Sequence, residues 1–195
     1  MTVIAMMHDG PNLAWACDSL ITGGNLISSS IAKKVVNVKA GGRQVLMGGS
    51  GQFSATDTAQ QWLLDNFAEV TVKHLDSRAI AIAISHGILE ATKDFPGVKM
   101  SNGFIDCSFL LAIQDGMAWK LYAIDEDCHP IAVDTCYWSI GSGGRFALGA
   151  MHVSRRLGDD ILGNVLDAVS AACDFTTNCG GEIVSGRVFL GGGNA

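Results

Sequence analysis

MTVIAMMHDGPNLAWACDSLITGGNLISSSIAKK, Met1–Lys34, carries the pattern from which the architecture can be worked out. Thr2 follows the initiator directly, and an apolar run, Val3-Ile4-Ala5-Met6, comes next. Asp9-Gly10 then interrupts it before a second strand-like run that ends at Asp18. Gly23-Gly24 and a serine-rich crossing lead to Lys33-Lys34. β-Branched and apolar residues around an Asp-Gly pair, which tolerates positive φ, predict a β-hairpin. In such a hairpin the chain start is an ordered strand beside Asp18. A hydroxyl, an amine, a carboxylate and an ammonium then come within reach of one another.

That grouping has a specific chemistry. A threonine hydroxyl is a weak nucleophile and needs a base. Once Met1 is removed, Thr2 carries an α-amino group whose unperturbed pKa is about 7.7–8.0, on the same residue as the hydroxyl it would deprotonate. Lys34 would disfavour the protonated amine, and Asp18 would hold Lys34 in place. With Met1 attached, the Thr2 nitrogen is an amide and no base, so ordinary removal of the initiator before a small residue is the expected route. Singly, these residues read as a second residue, a strand end and a solvated loop. Their order and spacing together make the case.

The chain of 195 residues predicts one domain, 1–195, large enough to bury a core. Apolar residues at 48% and charged ones at 16% indicate a globular protein. No apolar run is long enough to span a membrane, and no basic region with an apolar core marks a signal peptide. A net charge of −6 without a basic cluster argues against nucleic acid as a partner. None of the six cysteines sits in a C-x-x-C pair, which reads as free thiols in a reducing cytosol. The five histidines show no zinc spacing, so neither a metal nor a cofactor is expected.

Further along, residues 35–38 read as a strand, 40–43 as a turn and 44–47 as the returning strand. Gly48-Gly49-Ser50-Gly51 follows, then a helix from Phe53 with Phe53, Ala55, Ala59, Trp62, Leu63 and Phe67 on one face. A glycine turn before a helix can cradle phosphate, make a tight bend or supply an oxyanion hole. The phosphate reading lacks the Lys-Ser/Thr and the full dinucleotide fingerprint. Residues 79–84 alternate as a strand would. Ile80, Ile84, Ile88, Ala91 and Phe95 keep helical spacing, however, Asp76 or Ser77 can cap the start and Pro96 can stop it, so a helix is predicted. A hairpin is expected over 104–114 and 117–125 around Asp115-Gly116, then short strands at 131–133 and 136–140. Gly141-Ser142-Gly143-Gly144 precedes a helix over 146–157 that should face inward with Phe146, Ala147, Ala150, Met151 and Val153. Asp159 or Asp160 caps the next helix, whose stripe is Leu162, Val165, Leu166, Val169, Ala172 and Cys173, with Asp174 closing it. After a turn at 176–181, residues 183–190 form the last strand. This order suits two stacked antiparallel sheets with helices on the outer faces.

Thr2, the Ala16-Cys17-Asp18-Ser19 strand end, Thr22-Gly23-Gly24 and Lys33-Lys34-Val35 together resemble the start of a proteasome β-type subunit or a bacterial threonine-protease ring subunit. The blocks at 48–51 and 140–144 agree with that pattern, in order and spacing over nearly the whole chain. The resemblance implies an N-terminal-nucleophile (Ntn) hydrolase: α+β, a four-layer αββα sandwich of two antiparallel sheets flanked by helices. It also implies a threonine-type endopeptidase in a self-compartmentalising homo-oligomeric ring in the cytoplasm. Such a ring acts on peptide or unfolded polypeptide, with an ATP-dependent unfoldase as partner. Carried over residue by residue, Thr2 is the nucleophile, and Asp18 and Lys34 support its amine. The Gly51 amide is the oxyanion donor, with Gly49 as the one-residue alternative. Ser142 and Asp174 orient the amine and hydroxyl. The turn after Asp174 is two residues longer than the usual Asp-x-x-Ser/Thr-Gly-Gly, which makes Thr177 the partner hydroxyl. Ile21, Ala32 and Gly49 would line an apolar first specificity pocket. No helical extension precedes Thr2, as in the catalytic type of subunit. Two other readings stand beside this one: a small-molecule amidase or acylase of the same fold, and a catalytically silent assembly component.

Overall fold

The computed structural model describes residues 2–23, 26–28, 34–101, 104–158 and 160–190. In chain order the elements are β1 (Ile4–His8), β2 (Asn12–Asp18), β3 (Ile21–Gly23), β4 (Leu26–Ser28), β5 (Val35–Ala40), β6 (Arg43–Gly51), α1 (Phe53–Lys73) and α2 (Ser77–Lys93). There follow β7 (Met100–Ser101), β8 (Phe104–Ile105), β9 (Cys107–Asp115), β10 (Ala118–Ile124), β11 (Pro130–Ala132), β12 (Tyr137–Ile140), α3 (Gly144–Leu157), α4 (Ile161–Phe175) and β13 (Ile183–Phe189). The chain is α+β, with two antiparallel sheets flanked by four helices. It divides into two compact units, one of Met1–Lys34, Gly116–Trp119 and Asp134–Ala195, the other of Val35–Asp115 and Lys120–Val133.

The first unit is built on the opening hairpin. β1 and β2 pair from Ile4↔Cys17 to His8↔Leu13, as the alternation predicts. Gly10 turns the chain at φ +105, and the Asp9 carboxylate accepts the Asn12 amide at 3.1 Å and its side-chain N–H at 3.0 Å. β12 adds to the free edge of β1 and β13 to that of β2, giving the order β12-β1-β2-β13. Val3, Ala5 and Met7 share one face with Ala14 and Ala16, and Ala147, Met151, Val165, Val169 and Ala172 of α3 and α4 pack against it. Alanines on β2 leave α4 room to approach the sheet closely.

The second unit is a sheet of order β11-β10-β9-β6-β5. Gly41 and Gly42, both at positive φ, turn β5 into β6. Val45 and Met47 stand opposite Ile113 and Leu111, and this row packs against Leu63 and Phe67 of α1 and Ile80, Ile84 and Ile88 of α2. The segment at 79–84 is helical, as expected. Ile80 and Ile84 are fully buried while Ile82 is only half-buried, which is the 3.6-residue period. Asp76 caps the helix by accepting the Ala79 amide at 2.9 Å.

Three expectations give way. Gly48–Gly51 is not a turn ahead of a helix but the end of β6, paired with residues 107–110 of β9. Glycine is needed there because a Cβ on Gly49 would lie 3.0 Å from the Thr56 side chain. On α3, Phe146 and Val153 are exposed while Ala147 and Met151 are buried, since the sheet receives only a narrow stripe of that helix. Phe146 instead stacks on Phe175 of α4, ring centroids 6.0 Å apart. Phe95 likewise misses the α2 stripe, because the helix ends at Lys93.

Candidate active site

The geometry of the first unit converges on the residue after Met1. Thr2 is 7% exposed and leads straight into β1. Its neighbour Val3 donates its amide to Asp18 Oδ1 at 2.9 Å, and the Asp18 amide returns a bond to the Val3 carbonyl at 3.2 Å. Asp18 ends β2 with no exposed surface. Its Oδ1 also accepts from Lys34 Nζ at 2.7 Å, and its Oδ2 accepts the Gly180 amide at 3.2 Å. Lys34, itself 8% exposed, donates a further bond to the Leu20 carbonyl at 2.8 Å. A carboxylate removed from water is costly unless it is both paired and hydrogen-bonded, and Asp18 is both. The expected Asp18–Lys34 pair is therefore formed, and it holds the backbone immediately after Thr2.

The turn between β12 and α3 clamps Thr2 from another side. The Gly143 amide donates to the Thr2 carbonyl at 3.3 Å, and Ser142 Oγ donates to the same oxygen at 3.5 Å. Gly143 permits this approach, since a Cβ there would lie 2.9 Å from both Val3 Cβ and Cys179 Sγ. Ser142 thus stands beside the Thr2 carbonyl.

Asp174 does not join them. It lies exposed in the last turn of α4, without a hydrogen bond or ion pair among the described residues. Thr177 is exposed as well. The side chain that faces Ser142 is Cys179, buried, with Sγ 3.8 Å from Ser142 Oγ. The reason is the Gly180-Gly181 pair. Gly180 is pinned by its amide to Asp18 and by its carbonyl to the Leu20 amide at 3.0 Å, and a Cβ on Gly181 would meet Ser19 Oγ at 2.6 Å. Counting back from that pair, rather than forward from Asp174, finds Cys179 in the sequence.

Of the remaining candidates, Gly51 and Gly49 lie in β6 of the second unit, and Ile21 lies half-buried in β3 of the first. Ala32 and Lys33 lie outside the described residues. Gly51 takes φ +118, a conformation that favours glycine. Burial pushes the Cys17 thiol up to about 12, Lys34 opposing and Asp18 adding to the effect. Burial likewise raises Cys173 to about 11. Both stay protonated near neutrality and offer no thiolate beside Thr2. No group of His, Cys, Asp and Glu among the described residues is arranged to hold a metal.

The fold is shared with solved structures of proteasome-type subunits. The chain is similar to Anbu (ancestral beta-subunit) from Yersinia bercovieri, with a TM-score of 0.74 at 16% identity over 97% of this chain and 82% of that one. It is similar also to the eukaryotic HslV of Trypanosoma brucei, with a TM-score of 0.70 at 18% identity over 96% and 99%. BPH of Thiobacillus denitrificans gives 0.70 at 20% identity over 96% and 98%, and that protein has also been solved in complex with epoxomicin. At these identities the likeness is one of fold. No protein-family model and no curated protein matches the sequence.

Proposed function

We propose that this protein is an N-terminal threonine peptidase that cleaves peptide bonds with Thr2 once Met1 has been removed. The observation that carries the reading is the buried Asp18–Lys34 pair bonded to the Val3 amide, which brings a carboxylate and an ammonium to the residue bearing the nucleophile. In the mechanism, Thr2 Oγ attacks the scissile carbonyl while the Thr2 amine accepts its proton. The Gly51 amide is assigned to the developing oxyanion, a contribution of about 2.7–4 kcal/mol for one such donor. The amine then protonates the leaving amine, and water, deprotonated by the same amine, hydrolyses the ester. Ser142, bonded to the Thr2 carbonyl, orients the nucleophile, and Cys179 takes the position beside it.

The same reading makes the protein a homo-oligomeric ring that encloses its sites and takes unfolded polypeptide, with an ATP-dependent unfoldase feeding it. All six cysteines are free, in keeping with work in the cytoplasm. No helix among the described residues is long and apolar enough to cross a membrane.

The test is the intact mass of the purified protein before and after incubation with epoxomicin, alongside hydrolysis of fluorogenic peptides. Loss of the initiator, a one-to-one adduct and peptide turnover are expected, with the last two absent from Thr2→Ala. A protein that has lost Met1 but forms no adduct and turns over no peptide would overturn the reading.

A further inference from the structure

A cavity of about 550 Å³ in the second unit shares only Gly51 with the residues assigned above. Its volume falls in the range of about 300–1,000 Å³ typical of ligand pockets. It sits where β6 ends and β9 begins, beside the loop that follows β10. Ser50 and Ser108, cross-strand partners, form its floor. They point away from α1 and α2, because Met47 and Phe109 take the helix-facing positions of the alternation.

Ser50 is 6% exposed, and its hydroxyl has no hydrogen-bond partner among the described residues. The hydroxyl oxygen still opens onto the pocket, where a ligand can use it as a hydrogen-bond acceptor. Around it stand four carboxylates, Asp106, Asp125, Glu126 and Asp127, and no Lys or Arg among the described residues lines the pocket. None of the four takes part in an ion pair among the described residues. Among the described residues they form no group arranged to chelate a metal. The exposed Phe104 ring completes the wall and offers a face to an alkyl stem or a guanidinium.

We infer that this pocket binds a lysine or arginine side chain of the peptide substrate, its N–H groups donating to the carboxylates and to Ser50 Oγ. Gly51 lies in the same wall, so a peptide held here also reaches the amide assigned to the oxyanion. In that respect the inference rests on the peptidase reading.

The experiment uses full-length protein carrying Thr2→Ala, so that binding is measured without turnover. Two fluorescent peptides are compared by anisotropy, identical except that one has lysine where the other has its uncharged isostere norleucine. The lysine peptide is expected to bind about tenfold more tightly, and the ratio to fall towards one in about 0.5 M salt. Asp125→Asn with Glu126→Gln, both exposed positions, should also abolish the preference. Equal binding of the two peptides, binding of neither, or a preference that survives the double variant would overturn the assignment. Turnover by the unmodified protein is read separately. Its absence beside an intact lysine preference would remove the peptidase reading and leave the pocket assignment standing.

Discussion

Replacing Asp18 by asparagine keeps the shape of the side chain and removes its charge. In the native protein Asp18 has no exposed surface, and its two oxygens receive Lys34 Nζ at 2.7 Å, the Val3 amide at 2.9 Å and the Gly180 amide at 3.2 Å. Asparagine offers one acceptor oxygen, so its NH₂ must face one of the two backbone donors. Lys34 keeps the Leu20 carbonyl but loses the Asp18 charge. Breaking a buried pair from one side costs about 3–5 kcal/mol. For a chain of this size that is a fall in Tm of about 10 °C. Urea titration followed by circular dichroism measures the first quantity, and a thermal scan the second. The double variant Asp18→Asn, Lys34→Met removes both charges and should cost less than the sum of the single ones, because they share one interaction. A loss below about 1 kcal/mol for Asp18→Asn, the size expected of an exposed pair, would refute the claim that this carboxylate holds the chain start.

Gly51→Ala places a Cβ 2.4 Å from the Asp106 carbonyl at φ +118, and should cost about 1–3 kcal/mol in urea titration; a variant as stable as the parent would refute the placement of that strand end. Gly87→Ala drives a methyl to within 1.9 Å of the Trp62 ring, where α1 and α2 meet, and should lose about 1–3 kcal/mol by the same assay. Cys17, pushed up to about 12 by burial, should resist alkylation at pH 8 in the native state and react on unfolding. The sign of the linked stability follows: the unfolded thiol ionises near 9.0 and the folded one near 12, so its contribution is complete below 9.0 and is lost as the pH rises between the two. Cys17→Ala should flatten the decline in stability over that window, and an unchanged slope would count against the burial.

Features that depend on near neighbours in the chain could be read from the residues alone. Asp9-Gly10 turns the first hairpin, Asp76 caps α2, and Ile80, Ile84 and Ile88 mark its inner face, each through contacts a few residues apart. The Asp18–Lys34 pair was equally legible, because the hairpin that joins Thr2 to Asp18 is local and its alternation sets the register. Cys179 was not. Its position beside Ser142 follows from a bond between Gly180 and Asp18, 162 residues apart, and from β13 adding to the edge of β2. No local pattern carries the length of the turn from Asp174 to that strand. The exposure of Phe146 and Val153, and the extension of β6 through Gly51, were likewise settled by which surface arrived opposite them. Periodicity states that a face is apolar. What covers it, and how much of it, is decided when strands from opposite ends of the chain pair and only some side chains find a partner.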